Sequence, residues 1–331
     1  MSANPLTAVV VGAGHRAVVY SSYAHWHPEE LRIVGVADPD GFRRNQFAES
    51  HDIPSERRYR TAEDLAAAGQ FADFAINGTM DPQHVPTSLP LLDAGYHLLL
   101  EKPFATSEDE AWQLVHAARR NARTVGICHV LRFAPFYAAV RARVAEGAIG
   151  EVCQAAMQKS YRLGERPEWQ RSRETFSGII PFVGIHALDL IRWVTGRDFT
   201  QGAAWCSNVG HPAMRDLEDN ACVALQLDNG ASASARLDYC RPAKAPTHGD
   251  DRLRVAGNEG VIEWMYTADQ LTLLTNSEEP RVVELDEPID QFANFVSSFY
   301  EGTPSWVPAE DCIRMTEICL RLRDARISAS I

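Results

Sequence analysis

No stretch of the chain approaches the run of about 18 apolar residues that a membrane-spanning helix needs, so no span is expected. Basic residues are in deficit: 32 Lys and Arg against 44 Asp and Glu leave a formal charge of −12. So acidic a surface repels phosphate backbones and anionic lipid, and neither nucleic acid nor a membrane is an expected partner. Cysteines at redox or metal-binding spacing are also missing. The seven, at 128, 153, 206, 222, 240, 312 and 319, are scattered, odd in number and never form CxxC. They read as reduced thiols of a cytoplasmic protein, with no disulfide framework and no metal site expected. The first residues, MSANPLTAVVVGAG, have no basic segment, and their apolar run soon meets glycine. They are expected to form a buried strand rather than a secretory leader. Internal repeats and low-complexity segments are absent from the sequence.

What is present is an ordinary globular composition, 45% hydrophobic and 23% charged over 331 residues, long enough for two domains. Apolar runs at Ala8–Val11, Ile33–Ala37, Phe74–Ile76, His97–Leu100 and Val125–Cys128 alternate with helix-like stretches near 16–26, 40–50, 61–68, 84–94 and 107–120. That alternation predicts a parallel sheet covered on both faces. Beyond a helix near 135–146 the pattern changes to strands. They are expected at 151–160, 201–208, 219–228, 230–239, 252–256, 260–266, 270–275 and 281–285. One helix at about 178–195 interrupts them, and helices at about 289–301 and 308–326 follow. Asn229-Gly230 predicts a tight hairpin turn with positive φ angles. The domain boundary falls near residue 130: 1–130 is the α/β part and 131–331 the α+β part.

Gly12-Ala13-Gly14-His15-Arg16-Ala17 stands between the first strand and the first helix. In that setting GxGxxA has a physical reading. The first glycine makes the turn, and the second lets a pyrophosphate approach the backbone. The small third residue lets helix and strand pack. The phosphates then meet free N–H groups at a helix start. Asp38 ends the second run, about 20 residues further on, where a carboxylate takes the ribose hydroxyls of NAD. It would repel the 2′-phosphate of NADP, so NAD is the expected cofactor over NADP. Arg43 and Arg44 are read as solvated helix residues. Gly12, Gly14, His15, Arg16 and Asp38 are thus candidate cofactor residues.

The fifth run ends in Leu100-Glu101-Lys102-Pro103, which puts a lysine at the carboxyl edge of the sheet, where open α/β sheets bind ligands. Phe182, His186, Asp189 and Trp193 share one face of the helix expected over 178–195, a face that could line a cleft.

GAGHRA at 12–17, the Thr79…His84 loop, AGYHLLLEKP at 94–103, Arg132-Phe133, GAIGEV at 147–152, HALDLIRW at 186–193, AGNEGVIE at 256–263 and QFANFVSSFYEG at 291–302 together resemble the Gfo/Idh/MocA family, the glucose–fructose oxidoreductase and inositol dehydrogenase group. The resemblance runs over nearly the whole chain. It implies an α/β Rossmann domain followed by an α+β domain with a large, mainly antiparallel, open-faced sheet. A homodimer or homotetramer through that sheet is the expected assembly. It also implies NAD(P)-linked hydride transfer at a carbinol or carbonyl carbon of a sugar, cyclitol or related carbohydrate. By the same resemblance Lys102 is the catalytic lysine and His186 the substrate-domain histidine, and Thr79, His84, Glu101 and Lys102 border the cofactor.

The chain departs from the family pattern at three places. Phe182 stands where many members have Asp four residues before the histidine, Val130-Leu131 replaces the start of an NRRF-like stretch, and Thr79-Met80 replaces Thr-Pro. Phe cannot relay a proton or hold a hydroxyl. His129, Arg132, Tyr161 and Arg162 are candidates to supply the missing contacts, with Asp189 as a further substrate-side candidate. Lys102, desolvated beside the nicotinamide, would act as general base in oxidation and general acid in reduction. Alternatives are a redox-neutral use of NAD in epimerisation, elimination or glycoside cleavage, and an NAD-binding protein with impaired catalysis.

Overall fold

A computed structural model describes residues 4–127, 129–214, 216–288, 290–301 and 307–325. Cys128, which the sequence reading places at the end of a strand, lies outside them.

The first half alternates β1 (Leu6–Val11), α1 (His15–Ser21), α2 (Tyr23–Trp26), β2 (Leu31–Ala37), α3 (Gly41–Ser50), β3 (Arg58–Tyr59), α4 (Ala62–Ala67), β4 (Phe74–Asn77), α5 (His84–Asp93), β5 (His97–Leu100), α6 (Glu108–Arg120) and β6 (Val125–Ile127). The strands form one parallel sheet in the order β3-β2-β1-β4-β5-β6. Ala8 to Val10 and Phe74 to Ile76 are fully buried, as both-face coverage requires. The order reverses between β1 and β4, and the carboxyl ends of strands at such a reversal open a ligand crevice. Capping fixes the helix starts: the Ser107 side chain accepts the Glu110 N–H, and Asp40 accepts those of Phe42 and Arg43. The two-residue β3 is too short to leave a periodic signal in the sequence.

The second half carries α7 (Pro135–Ala145), β7 (Val152–Ser160), α8 (Ile185–Thr195), β8 (Phe199–Ser207), β9 (Asn220–Leu227), β10 (Ser232–Asp238), β11 (Arg252–Gly257), β12 (Gly260–Met265), β13 (Gln270–Thr275) and β14 (Arg281–Val282). Its eight-stranded sheet runs β14-β13-β12-β11-β7-β10-β9-β8 and is antiparallel except where β7 meets β10. Alternation along β9 buries Ala221, Val223, Leu225 and Leu227 and exposes Cys222, Ala224 and Gln226. One face therefore makes a core, and the other presents side chains such as Trp205, half exposed. The helix expected over 178–195 is a π-helical turn, Ile180–Gly184, followed by α8. Pro181 has no N–H to give the Ser177 carbonyl, and Arg323 Nη1 reaches that oxygen instead at 3.3 Å.

Helices α9 (Gln291–Glu301) and α10 (Ala309–Asp324) follow β14. The chain divides into two compact units, residues 1–128 with 290–314, and 129–289 with 315–331. The expected second span of 131–331 is thus interrupted, and aromatic packing explains why. Phe295 sits edge-on to Phe74 with centroids 5.2 Å apart, and Phe292 lies 5.7 Å from Tyr20 and 5.8 Å from Tyr23.

β9 and β10 form the hairpin expected of Asn-Gly, closed by the Gly230 N–H on the Leu227 carbonyl at 2.9 Å. Gly230 has φ +85°, but Asn229 is not among the positive-φ residues. Its amide donates to Glu151 Oε1 (2.7 Å) and the Val152 carbonyl (2.9 Å) instead. Nothing lies within 4 Å of a Cβ built on Gly230, so only the backbone opposes a side chain there. Gly230→Ala is expected to destabilise the second unit by about 1–2 kcal/mol, the cost of left-handed φ for an L-residue. Chemical denaturation checks this, and an unchanged midpoint would contradict the backbone argument.

Candidate active site

The glycine turn leaves β1 at Gly12, whose φ of +79° no β-branched side chain tolerates. A Cβ there would also stand 2.8–2.9 Å from three Thr79 atoms. Gly14 is different: it is the N-cap of α1, carries no side-chain cap, and has open space where a Cβ would be. Ala17 is fully buried, and a Cβ on Gly78 would lie 3.1 Å from its own, so helix and strand approach as closely as the motif requires. His15 is exposed. These are the features a pyrophosphate needs, namely an unobstructed glycine at a helix start.

Asp38 follows β2 and is 3% exposed. Its Oδ2 accepts the Ala13 N–H at 2.8 Å, and its Oδ1 accepts the Asp40 N–H at 2.8 Å. Arg43 Nη2 lies 3.2 Å from Oδ1, and Arg44 Nη1 donates to the Asp38 carbonyl at 2.6 Å. Arg43 is exposed, as expected of a solvated helix residue, but both arginines also reach back to Asp38, the residue after β2.

Glu101, directly after β5, is the second buried carboxylate. Oε1 accepts Arg16 Nε (2.5 Å) and the Tyr20 hydroxyl (2.7 Å), and Oε2 accepts the Lys102 N–H (2.5 Å). Burial works to raise its pKa, but the charges of Lys102 and Arg16 and these hydrogen bonds hold it below the usual carboxylate range. Lys102 moves the other way from its ordinary value. Desolvation pushes its ammonium below the usual lysine range, against the pull of Glu101 and of Asp81, and Arg16 adds to the lowering. The Lys102–Pro103 peptide bond is cis.

The Thr79…His84 loop is braced internally. Asn77 Oδ1 accepts from Thr79 Oγ1 (2.8 Å), while Asn77 Nδ2 donates to Thr87 Oγ1, Ser88 Oγ and the His84 carbonyl. His84 is 1% exposed, with Nδ1 2.6 Å from the Pro103 carbonyl and Nε2 3.1 Å from that of Thr79. Its ring joins the loop to the turn after Lys102, and both its nitrogens face backbone oxygens rather than open space.

In the second unit Arg132 and Asp189 are 1% and 2% exposed and paired bidentately, Nε to Oδ2 at 3.0 Å and Nη2 to Oδ1 at 2.5 Å. His129 Nδ1 stands 3.6 Å from Asp189 Oδ2, and the His129 and His186 rings meet edge-on at 6.4 Å. All three residues expected to reach substrate are buried, and Asp189 is committed to Arg132 through two hydrogen bonds. Removing either would leave the other as a buried unpaired charge, at about 3–5 kcal/mol. His186 alone of the four is half-buried.

Phe182 packs edge-on against Phe176 (5.2 Å) and Trp169 (6.0 Å), which makes it part of an aromatic cluster. Tyr161 and Arg162 follow β7 and form isolated bridges to Gly249 and Cys240. Burial pushes the Tyr161 phenol up, with Asp251 adding to it. Arg162 Nη1 donates to the Ala243 carbonyl at 3.1 Å.

Two buried charged residues are not singled out from the sequence. Asp81, buried, lowers the cost of a charged Lys102. Its only signal is its place two residues beyond Thr79. Lys159, 1% exposed and paired with Asp251, has a clearer one: it falls at an inward-facing position of β7.

The family model described as the oxidoreductase family, NAD-binding Rossmann fold, matches residues 6–129, and that of the GFO/IDH/MocA C-terminal domain matches 137–263. The chain is 32% identical to pig trans-1,2-dihydrobenzene-1,2-diol dehydrogenase over 62% of its own length, and that match spans 59% of the pig protein. With the human enzyme of that name identity is 30%, over 86% of this chain and 81% of the human one. A solved oxidoreductase structure from Thermotoga maritima superposes with a TM-score of 0.86 at 30% identity, covering 96% of this chain and 97% of its own. The glycine turn, the braced Glu101-Lys102 edge and these matches over both units lead to one conclusion: the chain belongs to the Gfo/Idh/MocA oxidoreductase family, and its first unit carries that family's NAD-binding Rossmann domain.

Proposed function

We propose that the protein is an NAD-dependent dehydrogenase that oxidises a secondary hydroxyl of a sugar, cyclitol or related polyol, or reduces the corresponding ketone, with Lys102 as general base and acid. The observation that carries this reading is the desolvated Lys102 at the carboxyl edge of the parallel sheet, next to a Glu101 bound to Arg16 of the glycine-turn helix. NAD, when bound, supplies the hydride acceptor. The chain's own task is the hydroxyl proton, which must leave as the carbon–hydrogen bond breaks. A neutral lysine takes it, and in reduction the ammonium returns it. An ordinary lysine is almost wholly protonated near neutrality, and lowering its pKa raises the fraction able to accept a proton.

Around this base, Gly12, Gly14 and the start of α1 would hold the pyrophosphate. Asp38 would hold the adenosine ribose through the acceptor sites of Oδ2 that Ala13 leaves over. Thr79 and His84 shape the loop on the other side of the turn. The family pattern assigns His186, on α8, to the substrate. Phe182, in its aromatic cluster, offers no hydroxyl-binding group, which favours a substrate with one apolar flank.

Lys102→Ala is expected to lower turnover at least about 100-fold, the low end of general acid–base contributions, with NADH affinity changed only several-fold. Steady-state kinetics and a fluorescence titration measure the two, and unaltered turnover would sink the assignment. The pH dependence follows from the direction of the lysine shift. Oxidation needs the neutral amine, so kcat/KM should rise with pH to a plateau whose midpoint lies below the ordinary lysine value of about 10.4. Reduction, which needs the ammonium, should fall through the same midpoint. A limb that persists in Lys102→Ala would assign it to another group.

A further inference from the structure

Three donors of different chemistry meet where β9 begins and β10 ends. His211 lies in the turn after β8, where its N–H donates to the Asn208 carbonyl at 3.2 Å. Asp219 immediately precedes β9 and Cys240 follows β10 by two residues. His211 Nδ1 stands 3.1 Å from Asp219 Oδ2, and these two atoms and the Cys240 sulfur all lie within 4.8 Å of one another. We propose that His211, Asp219 and Cys240 form a binding site for a zinc-like divalent cation, with the fourth position open to solvent.

The residues around the donors are arranged as a metal site needs. Asp219 is 0% exposed, and the Tyr239 N–H bonds its carbonyl at 2.7 Å. Asn220 Nδ2 donates to Oδ1 at 2.7 Å, which orients the carboxylate and leaves Oδ2 toward the histidine and the sulfur. Such outer contacts fix ligand direction at protein metal centres. The Cys240 N–H is held by Asp238 Oδ1 at 3.0 Å. Gly210 supplies an independent indication. A Cβ on it would stand 2.8 Å from Asp219 Oδ2 and 3.3 Å from Cys240 Sγ, inside the cluster. Gly210 is not among the positive-φ glycines, so its backbone does not require glycine, whereas the space between the donors does.

Donor chemistry selects the ion. Magnesium and calcium take oxygen ligands, whereas thiolate and imidazole together suit zinc and its neighbours. Thiolate and carboxylate would balance a 2+ charge. Bond lengths of about 2.0–2.3 Å place tetrahedral donors roughly 3.3–3.8 Å apart, so the side chains need to close only modestly. The three donors are too far apart in sequence to show metal spacing, and the β8–β9–β10 meander brings them together. The site also adjoins residues already described. Cys240 bridges to Arg162, and Glu218, next to Asp219, accepts the Ile179 N–H at 3.0 Å just before the turn that carries Phe182. The inference does not rest on the dehydrogenase reading.

Cobalt(II) titration of the EDTA-stripped, untagged full chain tests it. One equivalent should give tetrahedral d–d bands and a near-ultraviolet thiolate charge-transfer band, both displaced by one equivalent of zinc. Cys240→Ser should abolish the charge-transfer band, and Cys240→Ser and His211→Ala should each weaken zinc binding at least tenfold. Zinc should raise the melting temperature of the wild type and of neither variant. Metal-free melting temperatures of both variants near that of the wild type would show that they fold. Absence of a thiolate band, its survival in Cys240→Ser, or zinc binding equal in wild type and His211→Ala would overturn the proposal.

Discussion

The turn from Gly12 to Ala17 lies between two buried carboxylates, and the arrangement of the first unit's site follows from how each is satisfied. Asp38 takes the Ala13 N–H and so ties the end of β2 to the turn. Glu101 takes Arg16 and Tyr20 from α1 and the N–H of Lys102 from its own segment. Neither charge could be buried alone, because desolvating a carboxylate without partners costs several kcal/mol. Each is covered by hydrogen-bond donors drawn from other elements, so the helix start that would face a dinucleotide and the lysine beside it are held by one set of contacts. The same charge balance leaves Lys102 below its ordinary range, since burial outweighs the attraction of Glu101 and Asp81.

Much of this was legible in the sequence because the first unit is built from local signals. GAGHRA, the carboxylate closing the second strand, and EKP at the end of the fifth each occupy a strand end, where backbone geometry restricts the residue types allowed. Strand alternation marked the second sheet for a similar reason, as β9 shows. Tertiary choices were less visible. The helix over 178–195 looked continuous because a π-turn preserves apolar character while changing the spacing around Pro181. The return of 290–314 to the first unit depends on aromatic packing of Phe292 and Phe295 that periodicity cannot assign to a partner. Arg43 and Arg44 read as surface residues because no rule of spacing shows a side chain reaching back to a strand end.

The second unit shows how a polar helix face can mislead. His186 and Asp189 share that face, but Asp189 is committed to Arg132, and Phe182 joins an aromatic cluster rather than a polar one. The side chains expected to replace the family's missing contacts are therefore divided. His129 and Arg132 are buried, while Tyr161 and Arg162 continue β7 beyond Ser160 in bridges to Gly249 and Cys240. The Arg132–Asp189 pair, buried and joined by two hydrogen bonds, braces α8 against the segment that carries Arg132.

The most direct measurement is binding of NADH and NADPH to the wild-type chain, followed by energy transfer from its seven tryptophans. A site closed by Asp38 should take NADH at least about tenfold more tightly, a difference of about 1.4 kcal/mol. Equal or tighter binding of NADPH would mean that Arg43 and Arg44 face the 2′-phosphate. Binding of neither nucleotide would contradict the account of the glycine turn itself.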